Sequence, residues 1–301
     1  MILTQSAKST FQWCELKYYW RYRRGFDTKE RNCYMDIGTL YHKALDALGP
    51  DIDEGGLKRL KEALSPANVL EVSHDNMLTA RFMAEEYYNL YREGSPKWTS
   101  PLPGKIIATE ITIRHRIDRS LILAGKLDGI IRDDKGRLWL LERKSTYAID
   151  MDYLGKVELD GQLTFYCLLC WLHYGEMPVG IMYDVGCRPR IKKRQHEDLP
   201  SYLNRAKANF RASPSAYFAR QMAFRNAATV KRCLIEVKRI AREIQGCARA
   251  KLWCKNDHVC YVRGRECPYR MICTQGETPQ ALAHFKMVEP HSELSPGEVT
   301  G

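Results

Sequence analysis

The stretch between Lys105 and Lys144 constrains the fold more than any other part of the chain. Lys105 to His115 alternates apolar and polar residues, Ser120 to Arg132 does the same around Gly125-Lys126-Leu127-Asp128-Gly129, and Leu138 to Lys144 is a short apolar run that ends in charge. Alternation with a period of two places every second side chain on one face of a strand. Asp133-Asp134-Lys135-Gly136 separates the last two runs with residues suited to a tight hairpin. A three-stranded meander is therefore predicted. Leu159 to His173 has the length and apolar density of a helix buried against it, and Val179 to Val185 reads as one more strand. This order predicts an α/β fold, a mixed central sheet flanked by helices.

Helices are expected on both sides of this core. Phe11, Trp13, Tyr18, Tyr19, Trp20 and Tyr22 recur at helical spacing between Ser9 and Arg24, Ile37 to Leu48 forms a second helix carrying His42, and Met77 to Tyr91 a third. Pro214 to Lys251, rich in Ala, Arg and Lys, reads as one long helix. The expected organisation is a helical region over 1–100, the core with its following helices over 101–252, a cysteine segment over 253–275 and a loosely ordered tail over 276–301. The 301 residues suffice for a substantial core. No apolar run approaches the roughly 20 residues of a membrane span, and the first residues lack the pattern of a secretory signal, so a cytoplasmic location without a membrane partner is expected.

The net charge of +11 favours a polyanionic partner, because Lys and Arg that neutralise phosphates release condensed counterions. A solvated basic surface is the other reading. Eleven cysteines in a reducing compartment argue against a disulfide framework and leave metal or cluster ligation open. Cys167, Cys170, Cys233 and Cys247 lie in helical runs and read as small core residues.

Chemistry concentrates on the meander. Glu142 and Lys144, two apart on one strand, share a face, and the hairpin brings Asp128 of the preceding strand against Glu142. Two carboxylates and an ammonium around one point suit phosphodiester hydrolysis: oxygen ligands hold Mg2+ or Mn2+, and the lysine orients a water and stabilises developing charge. The backbone carbonyl of Arg143 is a further candidate ligand. An exposed edge strand could carry the same charges with no function, but Leu138-Trp139-Leu140-Leu141 is apolar enough to be central, where charge is costly unless paired. Taken alone, His42 reads as a packing histidine, and Gln162 with Tyr166 as a helical hydrogen-bonded pair beside a half-buried ring.

Gly38-Thr39-Leu40-Tyr41-His42, Gly125-Lys126-Leu127-Asp128-Gly129, Leu140-Leu141-Glu142-Arg143-Lys144-Ser145-Thr146 and Gln162-Leu163-Thr164-Phe165-Tyr166, in that order, resemble the RecB-type branch of the PD-(D/E)xK nuclease superfamily. The resemblance spans roughly Ile2 to Cys273. It implies that Asp128, Glu142 and Lys144 are catalytic, that His42 joins Asp128, Glu142 and the Arg143 carbonyl around the metal, that Gln162 and Tyr166 contact DNA or brace the site, and that Glu110 is a supporting acid on the preceding strand. Glu142 stands where many relatives carry Asp, within the D/E alternation the family allows.

Cys254, Cys260, Cys267 and Cys273 fall within twenty residues. Four thiolates hold either Zn2+ or a 4Fe-4S cluster, and spacing does not decide between them. The short Cys-x-x-Cys of zinc ribbons is missing, and His258 is a candidate ligand in the zinc reading. The chain is also similar to cluster-containing phage-type exonucleases of this superfamily, which pair one early cysteine with three late ones. That similarity implies a structural 4Fe-4S cluster on Cys14, Cys260, Cys267 and Cys273, with Cys254 spare. Arg188, Arg190, Lys192, Lys193 and Arg194 form the densest basic run and are expected to track DNA phosphates, though such runs are often solvated loops.

The expected function is metal-dependent DNA cleavage, exonucleolytic by resemblance, in phage or prophage recombination or in repair, alongside a single-strand annealing or recombination protein. No Gly-x-x-x-x-Gly-Lys-Ser/Thr motif is present, so unwinding by ATP hydrolysis would come from another protein. The competing readings are a non-catalytic DNA-binding module on the same scaffold and a zinc-stabilised structural protein.

Overall fold

The structure, a computed structural model, describes all residues except 30–32, 50–51, 70–71, 263, 295–297 and 301. In chain order the strands are β1 (Ile2–Leu3), β2 (Phe26–Thr28), β3 (Gly104–Arg116), β4 (Ile122–Asp133), β5 (Leu138–Thr146), β6 (Gly180–Cys187), β7 (Phe218–Ala223), β8 (Tyr261–Val262), β9 (Arg265–Glu266), β10 (Phe285–Met287) and β11 (Glu298–Thr300). The helices are α1 (Gln5–Trp13), α2 (Glu15–Tyr18), α3 (Cys33–Leu48), α4 (Gly56–Ala63), α5 (His74–Tyr91), α6 (Met151–Gly155), α7 (Gly161–Tyr174), α8 (Leu199–Ala212), α9 (Ala227–Ala250), α10 (Arg270–Gln275) and α11 (Pro279–Leu282). The central sheet runs β11-β3-β4-β5-β6-β7, with β1 added beside β4.

The meander β3-β4-β5 is antiparallel, and α7 carries the chain across one face so that β6 joins β5 in parallel. Leu138, Leu140, Ile181, Tyr183 and Val185 bury that face against Leu163, Phe165, Leu168 and Leu169 of α7 and the apolar stripe of α9. Each fully buried Leu, Ile or Phe stabilises the fold by roughly 1.5–3 kcal/mol. Asp160 starts α7 by accepting from the Gln162 N–H at 2.7 Å, and Gly175, with φ of 70°, closes it.

The opposite face is divided. Ile106, Ile131, Trp139, Leu141 and Met182 form a small cluster at one end. At the other, α3 and α5 build a second core around Tyr41, Leu45, Met83, Tyr87 and Phe218. Two glycines allow α3 to approach closely. A Cβ on Gly186 would stand 2.4 Å from the Tyr41 hydroxyl, and one on Gly38 would stand 3.1 Å from Ser145 Oγ. Beneath α5 lies a buried polar network: Arg220 Nη2 donates to Asp184 Oδ2 at 2.9 Å, Tyr87 donates to the same oxygen at 2.5 Å, and the guanidinium stacks over Tyr91.

Three expectations are corrected. Pro214 to Lys251 is not one helix, because Phe218–Ala223 forms the edge strand β7, antiparallel to β6, and the helix starts only at Ala227. The helix expected over Ser9 to Arg24 breaks at Cys14, whose φ of −163° is extended, and resumes as α2 and a wider π-turn over Tyr19–Arg23. The segment expected to be a loose tail contributes β10, paired with β2, and β11, paired with β3; residues 295–297 and 301 of it lie outside the described residues.

Candidate active site

β4 and β5 are hydrogen-bonded from Arg132↔Leu138 to Gly129↔Leu141 and then part, as β4 goes on to pair with β1. Asp128 is the first residue past the split. Its Oδ2 accepts the Arg143 N–H at 2.7 Å, so the carboxylate takes over a backbone donor that the ladder has released. α3 reaches this split from one face of the sheet and α7 from the other.

From α3, His42 Nδ1 lies 3.4 Å from Asp128 Oδ1. From β3, Glu110 lies between the paired Thr109↔Gly129 and Ile111↔Leu127, with a φ of 52° that a non-glycine residue adopts only under constraint, at a cost of about 1–3 kcal/mol. His42, Glu110 and Asp128 each offer a ligand atom, and these atoms all lie within 4.8 Å of one another. They line a cavity of about 640 Å³ with Gly38, Thr39 and Lys126. Lys126, two residues before Asp128, is ion-paired with Glu110.

Beside this trio Glu142 and Lys144 project toward α7. Lys144 Nζ is 2.5 Å from Glu142 Oε1 and donates to Gln162 Oε1 at 3.3 Å. Gln162 Nε2 donates to Glu142 Oε1 at 3.1 Å and lies 3.0 Å from the Tyr166 hydroxyl. Gly125 lets α7 come this close, since a Cβ there would meet Leu169 at 2.8 Å and Tyr166 at 3.0 Å.

The electrostatics separate the two carboxyls. Burial disfavours charge on Asp128, but His42, Lys144 and the Arg143 N–H outweigh it and hold the carboxyl below its usual range. Glu142, only 1% exposed, is pushed up to about 8, by burial first and by the Asp128 charge second, against the pull of Lys144. Burial also opposes the charge on His42, yet Asp128 raises its pKa; likewise Glu142 and Asp128 raise that of Lys144 against burial. Lys126, Lys144 and His42 stand against the three carboxyls, and among the described residues Glu142 Oε2 is buried with no hydrogen-bond partner. Hard oxygen ligands, one imidazole and an orphaned carboxylate oxygen fit a divalent cation.

The structure thus brings together His42, Glu110, Asp128, Glu142, Lys144, Gln162 and Tyr166. Glu142 stands outside the tight trio and is bonded to Lys144 and Gln162 instead. Lys126 had no role in the sequence reading, although period two from Asp128 puts it on the same face. Arg188 follows β6 directly, its N–H donating to the Thr146 carbonyl at 2.9 Å, so the basic run that continues through the exposed Arg190, Lys192, Lys193 and Arg194 leaves the sheet at the end of β5 that carries Lys144.

The cysteines also converge. Cys267 and Cys273 interact electrostatically with each other and with Cys14 and Cys260, and burial is the largest cause raising the pKa of both thiols. Trp20, Phe26, Tyr269, Ile272 and Phe285 pack against Cys267 and Cys273. Among the described residues no three of these sulfurs lie within 4.8 Å of one another. A zinc tetrahedron with bonds of about 2.3 Å needs sulfurs roughly 3.8 Å apart. Cys254 is exposed and interacts electrostatically with Cys247.

A parted sheet edge carrying a candidate cation trio, with a carboxylate and a lysine alongside, defines a class of metal-assisted hydrolase. The chain belongs to the PD-(D/E)XK nuclease superfamily, whose family model matches residues 2–274. A solved protein of Eubacterium rectale named "Putative exonuclease" is similar over 92% of this chain and 94% of that one, at 13% identity and a TM-score of 0.48, and nothing about activity follows from that likeness. No curated protein matches the chain.

Proposed function

We propose that this chain is a Mg2+- or Mn2+-dependent deoxyribonuclease that degrades DNA from its ends. The observation that carries the reading is the convergence of His42, Glu110 and Asp128 within 4.8 Å, beside the Glu142–Lys144 pair. When bound there, a divalent cation neutralises the phosphate and lowers the pKa of an attacking water. Asp128, Glu110 and His42 hold it, with the Arg143 carbonyl and Glu142 Oε2 as further ligands. Lys144 positions the water and stabilises the charge that develops on phosphorus-bound oxygen. Gln162 keeps Lys144 and Glu142 in place, and Tyr166 braces Gln162. Arg188, Arg190, Lys192, Lys193 and Arg194 track the DNA backbone.

The experiment is a time course on end-labelled linear DNA and on closed circles with Mn2+. Linear molecules should shorten from their ends while circles persist. Intact linear DNA would leave a non-catalytic DNA-binding module, and cut circles would make the enzyme an endonuclease.

The reading extends to a structural 4Fe-4S cluster on Cys14, Cys260, Cys267 and Cys273. Its support is the electrostatic interaction of Cys267 and Cys273 with Cys14 and Cys260, the apolar cluster against Cys267 and Cys273, and the loop it would close, from residue 14 to residue 273, which removes unfolded-state entropy. Protein purified without oxygen should be brown, with iron and acid-labile sulfide in equal amounts. A colourless protein with stoichiometric Zn2+ would reverse the assignment. A role in recombination or repair, in the cytoplasm of a bacterium or an infected host and beside a single-strand annealing or recombination protein, completes the proposal. No helix among the described residues is long and apolar enough to cross a membrane.

A further inference from the structure

Lys126 stands between two cavities. One, of about 640 Å³, is lined by His42, Glu110 and Asp128. The other, of about 520 Å³, is lined by Lys126 together with Ser6 and Ser9 of α1 and with Asp160, Gln162 and Tyr166 where α7 begins. Among the described residues that line the second cavity Lys126 is the one cation, and the Asp160 carboxylate is taken up by the Gln162 N–H at 2.7 Å. Lysine with serine, glutamine and tyrosine side chains is a set that contacts DNA phosphates.

Lys126 also has a partner inside the first cavity. It is opposite Thr112 in the β3–β4 ladder and reaches diagonally to Glu110, with which it is ion-paired. Glu110 is therefore claimed twice, because its ligand atom lies within 4.8 Å of those of His42 and Asp128. A divalent cation held by these three would stand against the ammonium, and the like charges repel. The weaker tie gives way. Lys126 and Glu110 have side chains 37% and 26% exposed, and an ion pair open to solvent adds little stability. Glu110 is the more constrained of the two, with its φ of 52° imposed by its surroundings, so Lys126 is the partner that moves.

Resting on the nuclease reading, we infer that Lys126 exchanges partners as the site is loaded: it neutralises Glu110 until a divalent cation takes that carboxylate, then turns into the polar cavity and holds a DNA phosphate beside the one that reacts. Cation binding and DNA binding are then linked. Each strengthens the other by the same factor, because the ammonium is released to the phosphate only when the cation is in place.

The test compares Lys126→Met, which keeps the length of the side chain and loses its charge, with the parent protein. In calorimetric titration with Mn2+ and no DNA, the variant should bind the ion about two- to fivefold more tightly, the fold-change that loss of a part-exposed ion pair implies. Unchanged or weaker binding would overturn the inference, as would a parent that takes up no Mn2+. A second arm uses a Lys144→Ala background, which keeps the DNA intact, and follows the affinity for a labelled duplex against salt. With Mn2+, Lys126→Met should weaken binding and reduce the slope of log K against log salt by about one. With EDTA the two proteins should bind alike. Equal losses with and without Mn2+ would make Lys126 a permanent phosphate contact, and no loss in either would leave it a surface ion pair; both overturn the exchange. The same pattern is required of Lys126→Gln, so that a folding defect of one variant does not decide the outcome. If wild type cleaves no DNA in the end-labelled assay, the nuclease reading fails, and the Mn2+ and salt arms still decide the exchange.

Discussion

Lys144→Ala is expected to lower the rate of DNA hydrolysis by about 10²–10⁴-fold, the range seen when a positioned proton-transfer or charge-stabilising group is removed. The loss should fall on kcat, with KM for DNA little changed, because Lys144 acts on charge that develops during the reaction rather than on the backbone at large. Stability should suffer much less. Glu142 is the group that loses a partner, and its carboxyl is already pushed up to about 8 by burial and by Asp128. Without the lysine it takes a proton and remains hydrogen-bonded to Gln162 Nε2, so no unpaired charge is left in the core. Initial rates at saturating Mn2+, with thermal melting of both proteins, check this. Equal activity of the variant would remove Lys144 from the chemistry.

The other large effect is on folding. Arg220 and Asp184 have side chains only 2% exposed each, with Tyr87 on the same carboxylate oxygen. Arg220→Met is expected to destabilise the protein by roughly 3–5 kcal/mol, because it strands a buried carboxylate. Adding Asp184→Leu should recover much of the loss, since a well-packed apolar pair of similar volume avoids desolvating two charges. Urea denaturation should show a lower midpoint with an unchanged slope for the single variant and partial return for the double. A double variant less stable than the single one would mean that the network also organises Tyr87 and Tyr91 of α5.

Most of the central sheet is legible in the chain because alternation and turn chemistry are local. β3, β4 and β5 follow from period two and from Asp133-Asp134-Lys135-Gly136, where Asp133 accepts from the N–H of both Lys135 and Arg137. β7 is not legible. Phe218-Ala-Arg-Gln-Met-Ala223 is composed largely of helix formers, and only the pairing of Ala219 to Ala223 with Val185 to Ile181 makes it a strand. The break at Cys14 is equally silent in sequence, because nothing local forces its extended φ.

The site divides in the same way. Asp128, Glu142 and Lys144 lie around one hairpin, so the sequence places them near one another, but the ladder ends at Gly129↔Leu141 and Glu142 turns to Gln162 rather than joining Asp128 in the trio. Glu110, Lys126 and His42 depend on the register between β3 and β4 and on how closely α3 approaches the sheet, which distant residues such as Gly186 set. The buried pair of Asp184 and Arg220 is 36 residues apart in sequence and carries no pattern that announces it. Convergence of Cys14 with the late cysteines came from family resemblance rather than from spacing.

A nuclease of this design needs His42, Glu110 and Asp128 to hold a divalent ion beside Lys144, and anomalous scattering from crystals grown with Mn2+ would locate it. An ion ligated by these three side chains, and missing from crystals of Asp128→Asn grown the same way, is the result expected. An empty trio, or an ion bound elsewhere in a protein that still cleaves DNA, would contradict it.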